Sequence, residues 1–247
     1  MTRVAVVTGG ASGMGLSICR HFARRGDQVA VLDVNASAAR GAAEELQEQG
    51  VRALACQADV TERGEIDEAF RKIRADLGPV EILVTSAGLV AFEPFTAITP
   101  DSWRRVIDVN LTGTFNAVQA AIPDMLDAGW GRIVTISSSS AQRGSPGMAH
   151  YTASKGGVIA MTKALAREYA PMGITVNNVP PSGIDTPMSR ASQAKGDLPG
   201  NEVMVQRIPV GHLGTGDDIA AACAFLCSEE AGFITGQVLG VNGGAVI

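Results

Sequence analysis

Short apolar and β-branched runs alternate with longer segments of helical periodicity along the chain. The runs predict strands at Val4–Thr8, Val29–Leu32, Val51–Ala55, Ile82–Val84, Arg132–Ile136, Thr175–Val179 and Gln237–Val241. The periodic segments predict helices at Leu16–Arg25, Ala36–Gln49, Thr61–Leu77, Asp101–Met125, His150–Ala170 and Asp217–Leu226.

This alternation of strands and helices predicts the fold class. It indicates βαβ units, whose right-handed crossovers place helices on both faces of a parallel sheet. The nearly continuous apolar strands fit a sheet that is covered on both faces. We therefore predict an α/β fold, a doubly wound parallel sheet of Rossmann type, in a single domain over residues 1–247. The one long irregular segment, about residues 180–205, is predicted to be a substrate lid.

Composition and charge narrow the classes of partner. The formal net charge is −5 and no basic cluster is present, which argues against nucleic acid and anionic membranes as partners. The first apolar run ends at Thr8, which is too short for a secretion signal, and no run of about 18 apolar residues is present. We expect a cytoplasmic protein that does not enter a membrane. The four cysteines, Cys19, Cys56, Cys223 and Cys227, predict core packing and no metal site.

A glycine cluster joins the first strand to the first helix. Its residues are Gly9, Ser12, Gly13, Met14 and Gly15. Glycines allow a tight turn and a close approach to a pyrophosphate, and the helix N-terminus offers free N–H groups to the phosphates. A plain structural turn is the alternative, but the flanking strand and helix favour a dinucleotide-binding loop.

Carboxylates follow the second and third strands. Asp33 stands where a carboxylate accepts hydrogen bonds from the adenosine ribose of NAD and repels the 2′-phosphate of NADP. Neither Val34 nor Asn35 supplies a positive charge there, so we predict NAD as the cofactor. The alternative is that Asp33 caps the following helix. Asp59 has two open interpretations, an adenine contact and a turn residue ahead of Thr61.

Two residues of one helical pattern indicate acid–base chemistry. Tyr151 and Lys155 are four residues apart and therefore share a helix face. A cation beside a phenol lowers the phenol pKa, which suits the tyrosine to proton transfer near neutral pH. The pair alone is commonly an exposed helix pair. Two further polar residues add to this pair. Ser138 lies at the end of the preceding strand, and Asn110 lies in the predicted long helix.

These residues together resemble the compact, single-domain branch of the short-chain dehydrogenase/reductase family, almost from end to end. The glycine cluster matches the family's cofactor loop, and residues 233–237 and 241–244 resemble its C-terminal signature. The family's catalytic tetrad is matched in identity, order and spacing by Asn110, Ser138, Tyr151 and Lys155.

The resemblance implies a role for each tetrad residue. Tyr151 would donate a proton to a carbonyl oxygen or take one from an alcohol, and Ser138 would hydrogen-bond the same oxygen. Lys155 would lower the tyrosine pKa and bind the nicotinamide ribose, while Asn110 would support a water chain to Lys155. Ile184 and Thr186 would contact the carboxamide of the cofactor.

The resemblance also implies the full cofactor site and the assembly. The predicted cofactor-binding residues are Gly9, Ser12, Gly13, Met14, Gly15, Asp33, Asp59, Val60, Ala87, Gly88, Tyr151, Lys155, Ile184 and Thr186. The implied assembly is a homotetramer, formed through the helices after Asp101 and Tyr151 and the last strand near Val241.

Two positions depart from the family pattern. Thr85 stands where the family has an asparagine, and we expect its hydroxyl to keep a hydrogen bond. Ser182 precedes Gly183 where the family has the glycine one place earlier, which affects the loop shape and the pocket width.

The pocket wall is predicted between Ser138 and Tyr151, from Gln142, Ser145, Pro146, Met148 and His150. For His150 a structural or surface role is favoured over substrate contact. The predicted lid adds Met188 and Met204, which suit a broad apolar pocket and equally suit ordinary packing.

The predicted function is an NAD(H)-dependent oxidoreductase that interconverts a secondary alcohol and a ketone. Small or cyclic alcohols, hydroxysteroids and 3-oxoacyl thioesters remain open as substrates. A different class, a non-catalytic nucleotide-binding assembly protein, is disfavoured by the intact tetrad. We predict that acyl carrier protein is not the main acyl carrier, since Gly129 and Met172 lie where carrier-protein reductases tend to have arginines. Thioesters of coenzyme A remain open, and a carrier could still dock through Arg104, Arg105 or Arg143.

Overall fold

One parallel sheet organises the molecule. The computed structural model describes residues 2–247. Its six strands are β1 Val4–Thr8, β2 Gln28–Asp33, β3 Ala53–Gln57, β4 Ile82–Thr85, β5 Gly131–Ile136 and β6 Ile174–Val179. They are ordered β3-β2-β1-β4-β5-β6, so the direction of winding reverses between β1 and β4. Ligands of open α/β sheets bind at such a reversal, beyond the carboxyl ends of the strands.

Ten α-helices accompany the sheet in the described part of the chain. They are α1 Gly13–Arg25, α2 Ala36–Glu48, α3 Arg63–Asp76, α4 Pro100–Ile107, α5 Gly113–Ala128, α6 Ser140–Arg143, α7 Ala149–Tyr169, α8 Pro187–Ala194, α9 Asn201–Val205 and α10 Gly216–Leu226. No helix within residues 2–247 is long and apolar enough to cross a membrane.

The helices bury two separate cores, one on each face of the sheet. Phe22 of α1 lies in the first core, which also includes residues of α2 and α10. Phe70 of α3 lies in the second core, together with residues of α5. Strand side chains alternate between the two cores, as Val7 and Val6 of β1 show, so both faces of the sheet are apolar. The predicted α/β fold, doubly wound and of Rossmann type, is confirmed.

The predicted last strand, Gln237–Val241, is wrong as a regular strand. It forms only isolated bridges, from Val238 to Asn178 and from Val241 to Pro181. A side chain of β6 replaces part of the main-chain hydrogen bonding that a regular strand would form here. The Gln237 N–H donates to Asn177 Oδ1 at 3.1 Å.

The predicted helix Asp101–Met125 is not continuous either. A π-helical turn at Asp108–Thr112 separates α4 from α5. From within this turn, the Asn110 side chain forms hydrogen bonds with the main chain of Leu89, and Thr114 Oγ1 donates to the Asn110 main-chain oxygen at 2.8 Å. The turn therefore directs the Asn110 side chain toward the loop after β4.

Two further boundaries differ from the prediction. The third strand begins two residues later than Val51 because the Val51 N–H bonds Leu46 O at the end of α2. The segment about 180–205 is not irregular throughout, since it contains α8 and α9. Its role as a lid stays a prediction.

The hydroxyl of Thr85 does not keep the hydrogen bond that was expected of it. Thr85 is buried at the end of β4, and its Oγ1 has no partner within the described residues. Its strand neighbour Thr135 is also buried, but Thr135 Oγ1 lies 2.7 Å from Thr162 Oγ1 and accepts from Asn178 Nδ2 at 2.8 Å. A threonine is too short here to replace the asparagine of the family pattern.

We predict that Thr85→Val raises the free energy of unfolding by about 1 kcal/mol, because an unsatisfied buried hydroxyl is destabilising. The matched control is Thr135→Val, which should lower it by about 1–3 kcal/mol because Thr162 and Asn178 lose a partner. Urea unfolding measures both. Equal destabilisation by the two substitutions would contradict this account.

Candidate active site

A cleft of about 360 Å³ opens at the carboxyl ends of the central strands. Most of the predicted cofactor residues line it, namely Gly9, Ser12, Gly13, Met14, Gly15, Asp33, Asp59, Val60, Ala87, Gly88 and Thr186. Tyr151 and Ile184 instead line a neighbouring cleft of about 220 Å³. Lys155 is 5% exposed and is not among the lining residues of either cleft.

Two positions of the glycine loop, Gly9 and Gly15, leave no room for a side chain. Gly9 and Gly13 have φ values of 64° and 51°, a left-handed conformation that favours glycine. A Cβ atom on Gly9 would lie 2.7 Å from Ala87 Cα, and one on Gly15 would collide with the Gly9 carbonyl oxygen. The Ser12 side chain makes no capping bond to α1, so the helix N-terminus is open to an anion. These features fit the pyrophosphate of a dinucleotide.

Asp33 lines the first cleft and does not cap the helix that follows it. Asn35 caps α2, since its side chain accepts from Ala38 N at 3.0 Å. The Asp33 carboxylate accepts from Ala11 N at 3.2 Å and from Asn35 N at 3.0 Å. These two N–H groups hold a carboxylate at the cleft, and no Lys or Arg lines the cleft within the described residues.

Asp59 has the turn role that was one of its two open interpretations. Its Oδ1 accepts from Thr61 N and Thr61 Oγ1, both at 2.9 Å, so it holds the turn before α3. It also lines the cleft. An adenine contact stays a prediction.

The start of α7 brings Tyr151 and Lys155 to the end of β5. Lys155 Nζ donates to the Ile136 carbonyl oxygen at 3.0 Å and lies 6.0 Å from the centre of the Tyr151 ring. Ser138 follows β5 and, like Tyr151, lines the second cleft. Ser138 Oγ accepts from Ser140 N at 3.2 Å and lies 2.8 Å from Ser140 Oγ. The Ser138 hydroxyl is thus held by Ser140 in the cleft that Tyr151 also lines.

Asn110 is fully buried beside this group. Its Oδ1 accepts from Leu89 N at 2.9 Å, and its Nδ2 donates to Leu89 O at 3.0 Å and to Ser154 Oγ at 3.1 Å. A Cβ atom on Gly88 would lie 3.0 Å from Asn110 Oδ1 and 3.4 Å from Lys155 Nζ. The side chain of Asn110 therefore fixes the loop after β4, and its role in a water chain stays a prediction.

Burial governs the ionisation of the catalytic pair. It lowers the pKa of Lys155 to about 8. Burial also raises the pKa of Tyr151, and the hydrogen bond with Ser138 opposes this only in part. The expected lowering of the tyrosine pKa by Lys155 is therefore not present in this structure. Its physical reason is that loss of hydration acts on both groups, while the ammonium is directed at Ile136 O.

The second cleft adjoins the first, since Met14, Thr186 and Met188 line both. Of the predicted wall, Ser145 and Met148 line it, as do the lid residues Met188 and Met204. Gln142 and Pro146 are exposed outside its lining. His150 is fully buried with Nε2 3.5 Å from Glu93 Oε1, which fits the structural role that was favoured.

The sequence analysis did not name several residues of this cleft, among them Val90 and Phe92, and it did not place Arg143 there. The first two follow β4, where their position beyond a strand end was an available signal. Arg143 was considered only for docking of a carrier. Gly183, at the departure from the family pattern, has φ 61°, and a Cβ atom there would lie 2.5 Å from Ile208 Cδ1. The displaced glycine is thus required by the local packing.

The buried ammonium of Lys155 should destabilise the protein at neutral pH. Its pKa is about 8 in the folded state and 10.5 ordinarily, so the unfolded chain holds the proton more tightly between those values and stability rises with pH across them. Replacement of Lys155 with Met should raise the free energy of unfolding by about 2 kcal/mol at pH 7, after allowance for the lost bond to Ile136 O. The gain should shrink toward pH 10, as denaturant unfolding at several pH values would show. A gain that does not change with pH would refute this origin.

Comparison with known proteins agrees with this geometry. A family model described as enoyl-(acyl carrier protein) reductase matches residues 9–246. The chain is 42% identical to an acetoacetyl-CoA reductase of Rhizobium meliloti, over 99% of this chain and 98% of that protein. It is 39% identical to the 3-oxoacyl-(acyl-carrier-protein) reductase FabG of Staphylococcus epidermidis, over 99% of each.

Among solved structures, a variant of actinorhodin polyketide ketoreductase with NADPH superimposes with a TM-score of 0.94 at 34% identity. The match covers 99% of this chain and 97% of the ketoreductase. The two proteins therefore share the whole fold. The chain belongs to the short-chain dehydrogenase/reductase family.

Proposed function

We propose that this protein is an NAD(H)-dependent oxidoreductase that interconverts a ketone and a secondary alcohol, with 3-oxoacyl thioesters of coenzyme A as its substrate class. The observation that carries the reaction type is that Ser138 and Tyr151 line one cleft, which adjoins the dinucleotide cleft. The names of the relatives favour the thioester among the three substrate classes left open by the sequence.

The chain's own residues account for the proton side of the reaction. When bound, the nicotinamide supplies a hydride to the carbonyl carbon. Ser138 donates a hydrogen bond to the carbonyl oxygen and Tyr151 donates its proton to it, which completes the alcohol. The raised pKa of Tyr151 keeps its proton in place until the carbonyl oxygen develops charge. Lys155 is assigned to the nicotinamide ribose, as the family resemblance implies.

Two observations support coenzyme A over a carrier protein. Met172 is exposed and apolar where a docking arginine was expected of a carrier-protein reductase, and Gly129 offers no side chain. The net charge of −5 also disfavours an acidic partner. The similarity to both kinds of reductase leaves this choice to experiment.

A homotetramer is part of the same proposal. Trp103 of α4 and Phe115 of α5 are 39% and 45% exposed, on the helices for which the resemblance implies contact between subunits. Leu239, near the C-terminal contact, is also exposed. Exposed large apolar side chains on two of the three implied contact elements, the segment after Asp101 and the C-terminal segment, fit burial against further copies of the chain.

The proposed function predicts that the purified protein reduces acetoacetyl-CoA with NADH, and that Tyr151→Phe lowers kcat at least about a thousandfold with little change in the Kd for NADH. Tyr169→Phe is the matched control, because these are the two tyrosines of the chain and both lie on α7. Absorbance of NADH follows turnover and fluorescence follows binding. Retention of activity by Tyr151→Phe would disprove the assigned proton donor. A higher kcat/KM on acetoacetyl carrier protein, a cyclic ketone or a ketosteroid would disprove the substrate class.

The cofactor choice is tested at Asp33. We predict a higher kcat/KM for NADH than for NADPH, and Asp33→Ala should reduce that ratio at least about tenfold, because the carboxylate repels the 2′-phosphate. The matched control Asp59→Ala should affect both cofactors alike, since they share the same adenine. The related ketoreductase was solved with NADPH, so the opposite preference is a definite alternative. Equal or better use of NADPH by the unmodified protein would overturn the proposal.

A further inference from the structure

One positive charge stands in the substrate cleft without a partner. Arg143 is the only charged residue among those that line this cleft within the described chain. Its side chain is exposed and forms no ion pair within the described residues, whereas Arg104 pairs with Asp101 and Arg190 with Asp185. Glu93, from the loop after β4, is bonded to Ser102 and faces His150 instead.

The backbone that carries Arg143 is tied to the catalytic serine. Arg143 ends α6, and its N–H donates to Ser139 O at 3.1 Å. Ser140, in the same short helix, bonds Ser138 Oγ through both its N–H and its hydroxyl. The main chain of Arg143 is therefore held close to Ser138, while its side chain is exposed.

The remainder of the cleft supplies no competing charge. Its other lining side chains are hydroxyls and apolar groups, among them Val90, Phe92, Met148 and Leu198. A cation beside apolar walls attracts anions more strongly than one surrounded by water, and a guanidinium fork suits phosphate oxygens in particular. The reacting carbonyl is uncharged. The anion must therefore belong to another part of the substrate.

We propose that Arg143 binds a phosphate of coenzyme A and thereby selects coenzyme A thioesters over uncharged ketones. This inference rests on the proposed function and assigns the recognition of the carrier arm to one residue. A thioester of coenzyme A places its phosphates on the arm that leaves the reacting cleft, which is where the Arg143 side chain is exposed.

The test compares two thioesters with the same reacting group. Acetoacetyl-CoA carries phosphates, whereas the N-acetylcysteamine thioester of acetoacetate carries none. Arg143→Gln should lower kcat/KM for acetoacetyl-CoA about tenfold, mainly through KM, and change that for the neutral thioester less than about twofold. Arg143→Lys should restore part of the loss, because it keeps the charge but not the fork.

Arg24→Gln is the matched control and should leave both substrates unchanged. Arg24 is exposed and lies in the last turn of α1, which runs away from the glycine loop for about 20 Å. Equal losses on both thioesters in Arg143→Gln would show a structural role and overturn the proposal. An unchanged KM for acetoacetyl-CoA would overturn it as well.

Direct binding separates this proposal from the proposed function. If the protein reduces neither thioester, the proposed function fails, and calorimetric titration of coenzyme A into the protein with NAD⁺ decides the role of Arg143. Binding that weakens about tenfold in Arg143→Gln, and that weakens with added salt, supports the phosphate site. Absent binding, or equal affinity in both proteins, refutes it.

Discussion

The burial of one ammonium group constrains the centre of this molecule. Lys155 Nζ is held out of water by the ends of β4 and β5 and directed at the Ile136 carbonyl oxygen. The loop after β4 passes close to this group, since a Cβ atom at position 88 would lie 3.0 Å from Asn110 Oδ1 and 3.4 Å from Lys155 Nζ. The π-helical turn between α4 and α5 then serves to bring Asn110 to the same point. The loop after β4, the π-helical turn and α7 thus all pack around the Lys155 ammonium. Its burial lowers the stability of the fold.

The site consists of two adjoining clefts with different lining. The first cleft is lined by the glycine loop and by two carboxylates, Asp33 and Asp59. Under the proposed function, its choice between cofactors depends on what the Asp33 carboxylate repels. The second cleft is apolar apart from hydroxyls and Arg143, and it contains Tyr151 and Ser138. The proposed reaction type therefore depends on the hydroxyls of the second cleft, and the proposed choice of substrate depends on Arg143.

Periodicity and glycine placement made the fold and the cofactor loop predictable, because both depend on contacts that are local in sequence. The alternation of apolar runs is enough to give a doubly wound sheet, and Gly9 to Gly15 form the turn that their sequence requires. Features that depend on distant contacts were not predictable. The missing seventh strand depends on Asn177, and the interrupted long helix depends on a bond between Asn110 and Leu89. The rise of the Tyr151 pKa was not predicted either, because it results from burial of the side chain, which residue spacing does not reveal.

Burial, and not a neighbouring charge, sets the pKa of Lys155. The chain contains four lysines, Lys72, Lys155, Lys163 and Lys195, so each can be followed separately. Titration of their ε-carbon resonances by NMR, with Lys155→Met for assignment, measures the pKa directly. The account predicts that one resonance titrates near 8 and is absent from Lys155→Met. A Lys155 resonance that titrates at about 10.4, the ordinary lysine value, would contradict it.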